Sequence, residues 1–133
     1  MRSNTQTISI DSPADRVFRF VAEPTNLPRW AIGFAQDIEP DGDAWRVTTG
    51  QRQVPLRVAT DVRLGVIDFH MSVAEEVEGV AHSRVLARGA GAEYVFTQFQ
   101  SPSMPDDVFD GQVEALGHEL IALKAVLEVE CPL

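Results

Sequence analysis

The chain has 133 residues, of which 44% are hydrophobic and 23% are charged. This length and balance are typical of one compact domain, residues 1–133, and exclude a disordered tail. The 11 basic and 20 acidic residues give a net charge of −9, which disfavours nucleic acid and anionic membranes as partners. No apolar run predicts a membrane span and no apolar signal segment opens the chain, so we expect a cytoplasmic protein.

The first part of the chain predicts one strand and two short helices. Residues 5–11 alternate polar and apolar side chains, as in a strand with one wet face. Residues 12–15 then predict a helix start, because serine caps well and proline suits the first turn. Further prolines limit the next segment to another short helix that ends near Trp30.

Strands joined by tight turns follow. Alternating or apolar runs predict strands at residues 34–39, 44–49, 54–62, 66–73, 80–88 and 93–100. No helical segment separates these runs, so we predict an antiparallel sheet of about seven strands.

A long amphipathic helix is predicted at residues 105–128. Its apolar side chains recur at helical spacing and form one stripe, consisting of Phe109, Val113, Leu116, Leu120, Leu123 and Leu127. The stripe needs an apolar surface, which the sheet supplies. A helix that lies across a curved sheet encloses a cavity when the side chains between them are not all large.

This order of elements resembles the START-like (SRPBCC) superfamily, known by the polyketide cyclase/dehydrase and lipid-transport label. The resemblance covers nearly the whole chain and is carried by residues 10–18 (IDSPADRVF), 26–30 (NLPRW), 65–70 (GVIDFH) and 120–124 (LIALK). The last two segments are similar to those of bacterial members whose activity is unassigned. The resemblance implies an α+β helix-grip fold, in which a curved antiparallel sheet and a long C-terminal helix hold an apolar or aromatic molecule. Some members catalyse cyclisation or dehydration in that cavity, but no single catalytic motif runs through them.

Several residues are predicted to contact a ligand. By register with this fold, Tyr94, Phe96 and Gln98 face inwards and form a wall of aromatic rings and an amide. The alternative is that the two rings are only core and that Gln98 lies at a wet rim. Further predicted contacts are two tryptophans, one strand residue and two residues of the helix stripe: Trp30, Trp45, Phe69, Leu116 and Leu120.

Candidate catalytic residues are predicted mainly outside the cavity. Asp68 and His70 share one face of a strand, where the carboxylate can orient the imidazole. The opposite face is apolar and is the natural inner surface, formed by Ile67, Phe69, Met71 and Val73. We therefore predict that Asp68 and His70 point into solvent. Arg84 and His118 complete the set of candidate acids and bases, with Arg84 also predicted outside and His118 at the edge of the helix stripe.

Metal and cofactor motifs are missing from the sequence. The chain has no H-E-x-x-H, no G-x-S-x-G, no Walker loop and no C-x-x-C, and its single cysteine, Cys131, has no metal-ligating neighbour at suitable spacing. We predict neither a metal nor a cofactor.

Three functions remain compatible with the sequence. The preferred one is a carrier or sensor of a small apolar or aromatic molecule. A cyclase- or dehydratase-type enzyme would need an ionisable group inside the cavity that acts as general acid or base. The third is a protein-interaction module whose acidic surface docks a basic partner. Each of the three is compatible with a homodimer.

Overall fold

A computed structural model describes residues 1–50, 52–74 and 77–133 of the chain. The strands are β1 (Ser3–Ile10), β2 (Asp37–Asp41), β3 (Ala44–Thr48), β4 (Gln53–Asp61), β5 (Val66–Ala74), β6 (Val77–Arg88) and β7 (Gly91–Phe99). The helices are α1 (Ala14–Ala22), α2 (Leu27–Trp30), which follows a 3₁₀ turn at Pro24–Asn26, and α3 (Asp106–Glu130). No helix among the described residues is both long and apolar enough to cross a bilayer.

The seven strands form one antiparallel sheet in the order β1-β7-β6-β5-β4-β3-β2. The first strand pairs with the last, from Ser3 opposite Phe99 to Ile10 opposite Ala92. All other neighbours in the sheet are consecutive in the chain, as short turns without crossover helices require. The predicted α+β helix-grip fold is confirmed.

Helix α3 lies on the inner face of the sheet through its apolar stripe. Five stripe residues are buried, namely Phe109, Leu116, Leu120, Leu123 and Leu127, and Val113 is partly buried. The Gln6 side chain donates from Nε2 to the Val113 carbonyl oxygen over 2.9 Å, which ties α3 to β1. One turn further along α3, a Cβ atom on Gly117 would lie 3.4 Å from Gln6 Oε1. An added methyl group there would be in ordinary van der Waals contact with the Gln6 side chain.

The two faces of β5 differ as the alternation predicts. Ile67 and Phe69 are buried in the core, whereas Asp68 and His70 are partly exposed on the other face. The side chain of Val73, also predicted to face inwards, lies outside the described part of the structure.

The segment between α2 and β2 departs from the prediction. Residues 34–39 were expected to form a strand, but β2 begins only at Asp37. The chain instead continues in a turn after α2, since the N–H groups of Phe34 and Ala35 both donate to the Ala31 carbonyl oxygen, over 3.0 and 2.7 Å. This turn, residues 31–36, packs beside α3 and helps to shape the site described next.

Candidate ligand-binding pocket

A pocket of about 550 Å³ lies between the sheet and α3. Strands β4 to β7 form one wall, and α2, the turn that follows it and α3 form the other. Most of the lining is apolar and includes Leu56, Phe69, Ala81, Phe96, Trp30 and Leu116. Its volume is in the range of small-molecule sites, which span roughly 300–1,000 Å³.

The aromatic side chains of the pocket support one another. Phe69 and Phe96 have ring centroids 6.2 Å apart and planes inclined by 31°. Tyr94 packs edge-on against both Trp30 and Phe96, with centroids 6.3 Å apart in each case. These separations are typical of stabilising aromatic pairs, so the rings present a firm apolar surface.

Two buried N–H donors belong to side chains of the pocket wall. Within the described residues, Trp30 Nε1 and Gln98 Nε2 have no hydrogen-bond partner. Most buried polar side-chain atoms in native proteins are paired, and an unpaired one costs about 1–3 kcal/mol. Unpaired donors of this kind can orient a ligand that carries a hydrogen-bond acceptor.

A carboxyl group, that of Glu119 on α3, also belongs to the wall. Glu119 is only 8% exposed, and its Oε2 accepts a hydrogen bond from the Gly33 N–H over 3.1 Å. Burial raises the pKa of Glu119 to about 7, against the opposing effect of the Gly33 and Phe34 N–H groups. A group with such a pKa can accept or donate a proton near neutral pH.

The turn after α2 accounts for the position of the Gly33 N–H. A Cβ atom on Gly33 would lie 3.2 Å from the Ala115 Cβ and 3.5 Å from Glu119 Oε2. Glycine therefore lets the turn approach α3 closely enough for its N–H to reach the carboxyl group.

Glu119 was not among the residues predicted from the sequence. The ionisable candidates predicted from the sequence are Asp68, His70, Arg84 and His118. A signal was present: Glu119 follows Leu116 by three positions and precedes Leu123 by four, so it lies on the buried face of α3. An acid at such a position is either paired or held in an unusual environment.

None of the predicted catalytic candidates lines the pocket. Asp68 does not orient His70; its Oδ1 lies 3.0 Å from His82 Nδ1, and His70 Nδ1 lies 2.6 Å from Glu78 Oε1. The reason is that Asp68 and His82 are directly opposite in the β5–β6 pair, and opposite residues are closer than residues two apart on one strand. Arg84 Nε donates to the Leu64 carbonyl oxygen over 3.0 Å, and His118 is exposed.

The predicted ligand contacts divide into two groups. Trp30, Phe69, Phe96, Gln98 and Leu116 line the pocket. Three others are not part of its wall: Tyr94 and Leu120 are buried in the core, and Trp45 on β3 is partly buried against it. Tyr94 supports the wall through its contacts with Trp30 and Phe96.

Solved structures resemble this chain, although neither a protein-family model nor a curated protein matches its sequence. The Aha1 dimer from Colwellia psychrerythraea is 13% identical, with 97% of this chain and 98% of that chain covered and a TM-score of 0.78. The di-domain ARO/CYC BexL from the BE-7585A biosynthetic pathway is 23% identical, with 98% of this chain but only 48% of that chain covered and a TM-score of 0.75. Ara h 8.0201 is 14% identical, with 97% and 99% coverage and a TM-score of 0.70.

These similarities concern the fold alone, because every identity is low and one fold hosts many functions. They extend over nearly the whole of this chain, from β1 to the closing helix. The chain therefore shares the helix-grip fold of these solved structures.

Proposed function

We propose that the protein binds a small apolar or aromatic molecule in the pocket between sheet and α3, and acts as its carrier or sensor. The observation that carries this proposal is the pocket of about 550 Å³ with its largely apolar lining. Protein interiors are close-packed and leave few voids larger than a water molecule. An apolar pocket of this volume between sheet and helix is large enough to hold a small organic molecule.

The shape and chemistry of the lining favour a flat ligand with oxygen acceptors. Phe69 and Phe96 offer ring surface on the sheet side, and Trp30 offers it on the helix side. A carbonyl or hydroxyl oxygen on the ligand would give the unpaired amide N–H of Gln98 a partner. Directional groups of this kind orient ligands in otherwise apolar sites.

Titration with N-phenyl-1-naphthylamine, an uncharged aromatic probe that fluoresces in apolar surroundings, tests the proposal. We expect saturable binding with one site per chain. Ala81→Phe should weaken binding more than tenfold, because Ala81 lines the pocket and the larger ring would occupy it. Ala87→Phe, at an exposed position of the same strand that does not line the pocket, is the matched control and should bind as the unmodified protein does.

Met71→Trp is a second pocket-filling variant, in case Ala81→Phe folds poorly, since Met71 also lines the pocket. Circular dichroism verifies the fold of each variant. If the folded protein shows no saturable binding, or if both pocket variants bind as well as the control, the proposal fails.

A cyclase- or dehydratase-like enzyme is the second candidate, and Glu119 is the observation that favours it. Its carboxyl group belongs to the pocket wall and has a pKa of about 7, as a general acid or base at neutral pH requires. The structural similarity to ARO/CYC BexL adds support for this class of reaction. An assay with a linear poly-β-ketone analogue decides: loss of turnover in Glu119→Gln with unchanged binding supports the enzyme, and no turnover by the unmodified protein favours the carrier.

Assembly as a homodimer is also part of the proposal. The support is that one protein of the same fold, Aha1 from Colwellia psychrerythraea, is a dimer. Analytical ultracentrifugation checks it, with twice the mass of 14.6 kDa as the expected result and a concentration-independent monomer as the contrary one.

A further inference from the structure

The contacts of Glu119 suit the ionised form of its carboxyl group. The Gly33 N–H donates to Oε2, and the Phe34 N–H also favours the charged form. Among the described residues these partners are donors only. Donors satisfy a carboxylate, whereas a protonated acid needs an acceptor for its O–H.

What this carboxylate lacks is a positive counter-charge. Other acids of the chain are paired with cations: Arg2 lies 2.6 Å from Asp110, Arg19 lies 2.8 Å from Asp15, and Lys124 lies 2.5 Å from Glu128. No cationic side chain in the described part of the structure forms such a pair with Glu119. The other charged residue of the pocket lining, Arg52, donates to the Ser72 carbonyl oxygen over 3.3 Å. A buried charge without a partner is costly, so a cation that entered the pocket would be stabilised there.

We infer that the pocket selects molecules that carry a protonated amine on an aromatic or apolar body, with the Glu119 carboxylate as the counter-ion. This inference rests on the proposed function, since it specifies the class of ligand for the same pocket. The aromatic lining supports it further, because the faces of Trp30, Phe69 and Phe96 attract cations as well as apolar groups. The net charge of −9 favours the approach of a cation and opposes that of an anion.

Three naphthalene probes of nearly equal shape separate charge from apolar contact. They are 1-naphthylmethylamine, which is protonated at pH 8, 1-naphthalenemethanol, which is neutral, and 1-naphthoate, which is an anion. We expect calorimetric titration at pH 8 to rank the amine at least tenfold tighter than the alcohol and the carboxylate weakest. At pH 6 the advantage of the amine should shrink, because the pKa of Glu119 is about 7 and the acid is then mostly protonated.

Glu119→Gln keeps an acceptor for the Gly33 N–H but removes the charge, so the amine and the alcohol should then bind within about twofold of each other. Glu119→Met is a second variant that also removes the charge. Glu114→Gln is the matched control, since Glu114 is exposed on the same helix and does not line the pocket. It should keep the preference for the amine.

The outcomes distinguish this inference from the proposed function. If the alcohol binds as tightly as the amine, the ligand class is wrong while the pocket still binds. A preference for the amine that persists in both folded Glu119 variants also overturns the role of Glu119. If none of the three probes and no N-phenyl-1-naphthylamine binds, the proposed function itself fails.

Discussion

Carboxyl groups on the inner and outer sides of the sheet have pKa values that are shifted in opposite directions. On the outer side, Glu93 accepts hydrogen bonds from Ser9 and Thr7, and these lower its pKa. On the inner side, burial raises the pKa of Glu119 to about 7. Glu93 gains hydrogen-bond donors while it stays in contact with water. Glu119 is removed from water and gains only backbone N–H donors. An acid of the second kind is a candidate for function, because stability alone does not favour it.

The same comparison applies to the candidate catalytic residues predicted from the sequence. Asp68 and His70 each pair with another residue away from the pocket. Glu119 belongs to no recognisable motif, yet it lies in the pocket wall. The position of a titratable group relative to the cavity therefore says more about chemistry than its neighbours in the sequence do.

The largest expected effect compares buried and exposed residues of α3. Leu120 is 2% exposed and Ile121 is 62% exposed. We expect Leu120→Ala to lower the free energy of unfolding by about 2–5 kcal/mol, and Ile121→Ala to change it by no more than roughly 0.5 kcal/mol. Urea denaturation of both variants measures the difference. A loss under about 1 kcal/mol for Leu120→Ala would mean that the site relaxes around the missing atoms.

The next effect concerns Glu119 and pH. Its pKa is about 7 in the folded protein, against an ordinary value of 4.5, so between these values the folded state binds more protons than the unfolded one. Glu119 therefore stabilises the folded state at low pH, and this stabilisation is lost as the pH rises through 7. A tenfold change in acidity corresponds to about 1.4 kcal/mol, so the full loss is up to about 3 kcal/mol.

Glu119→Gln removes that dependence. We expect the free energy of unfolding of the variant, minus that of the unmodified protein, to be about 2–3 kcal/mol higher at pH 8 than at pH 5, which means that the variant is relatively more stable at pH 8. Denaturation at both pH values measures it. Glu93→Gln is the control for the outer side: the pKa of Glu93 is lowered from 4.5, so its contribution to stability is lost only as the pH falls below that value, and the relative stability of this variant should change little between pH 5 and pH 8. A relative stability of Glu119→Gln that is independent of pH would contradict the burial argument.

The smallest effects are on binding. Phe96 lines the pocket and His70 does not. We expect Phe96→Ala to weaken binding of N-phenyl-1-naphthylamine about tenfold, equivalent to about 1.4 kcal/mol, and His70→Ala to leave it within about twofold. A fluorescence titration of each variant measures this. The reverse ranking would move the site to the outer side of the sheet and overturn the comparison between its two faces.

The amino-acid sequence by itself determined the order of the elements, the antiparallel sheet, the closing helix and the apolar inner face of β5. These features follow from periodicities of two and of 3.6 residues, which record burial along one element at a time. The resemblance to a known fold, taken together with these patterns, also pointed to five of the residues that line the pocket, including Phe96 and Gln98. Alternation shows that Phe96 and Gln98 share a face of β7, and the resemblance indicates that this face is the inner one.

Only the tertiary structure decided which distant groups meet. Glu119 and Gly33 are 86 positions apart in the chain, and their contact depends on how the turn after α2 seats against α3. Similarly, Asp68 pairs with His82 because of the register between β5 and β6. Tyr94 is fully buried against Trp30 and Phe96 and is not part of the pocket wall. Burial of a carboxyl group, and with it the pKa, arises from all the elements around it at once. A sequence pattern along a single helix or strand therefore cannot predict the pKa of a buried carboxyl group.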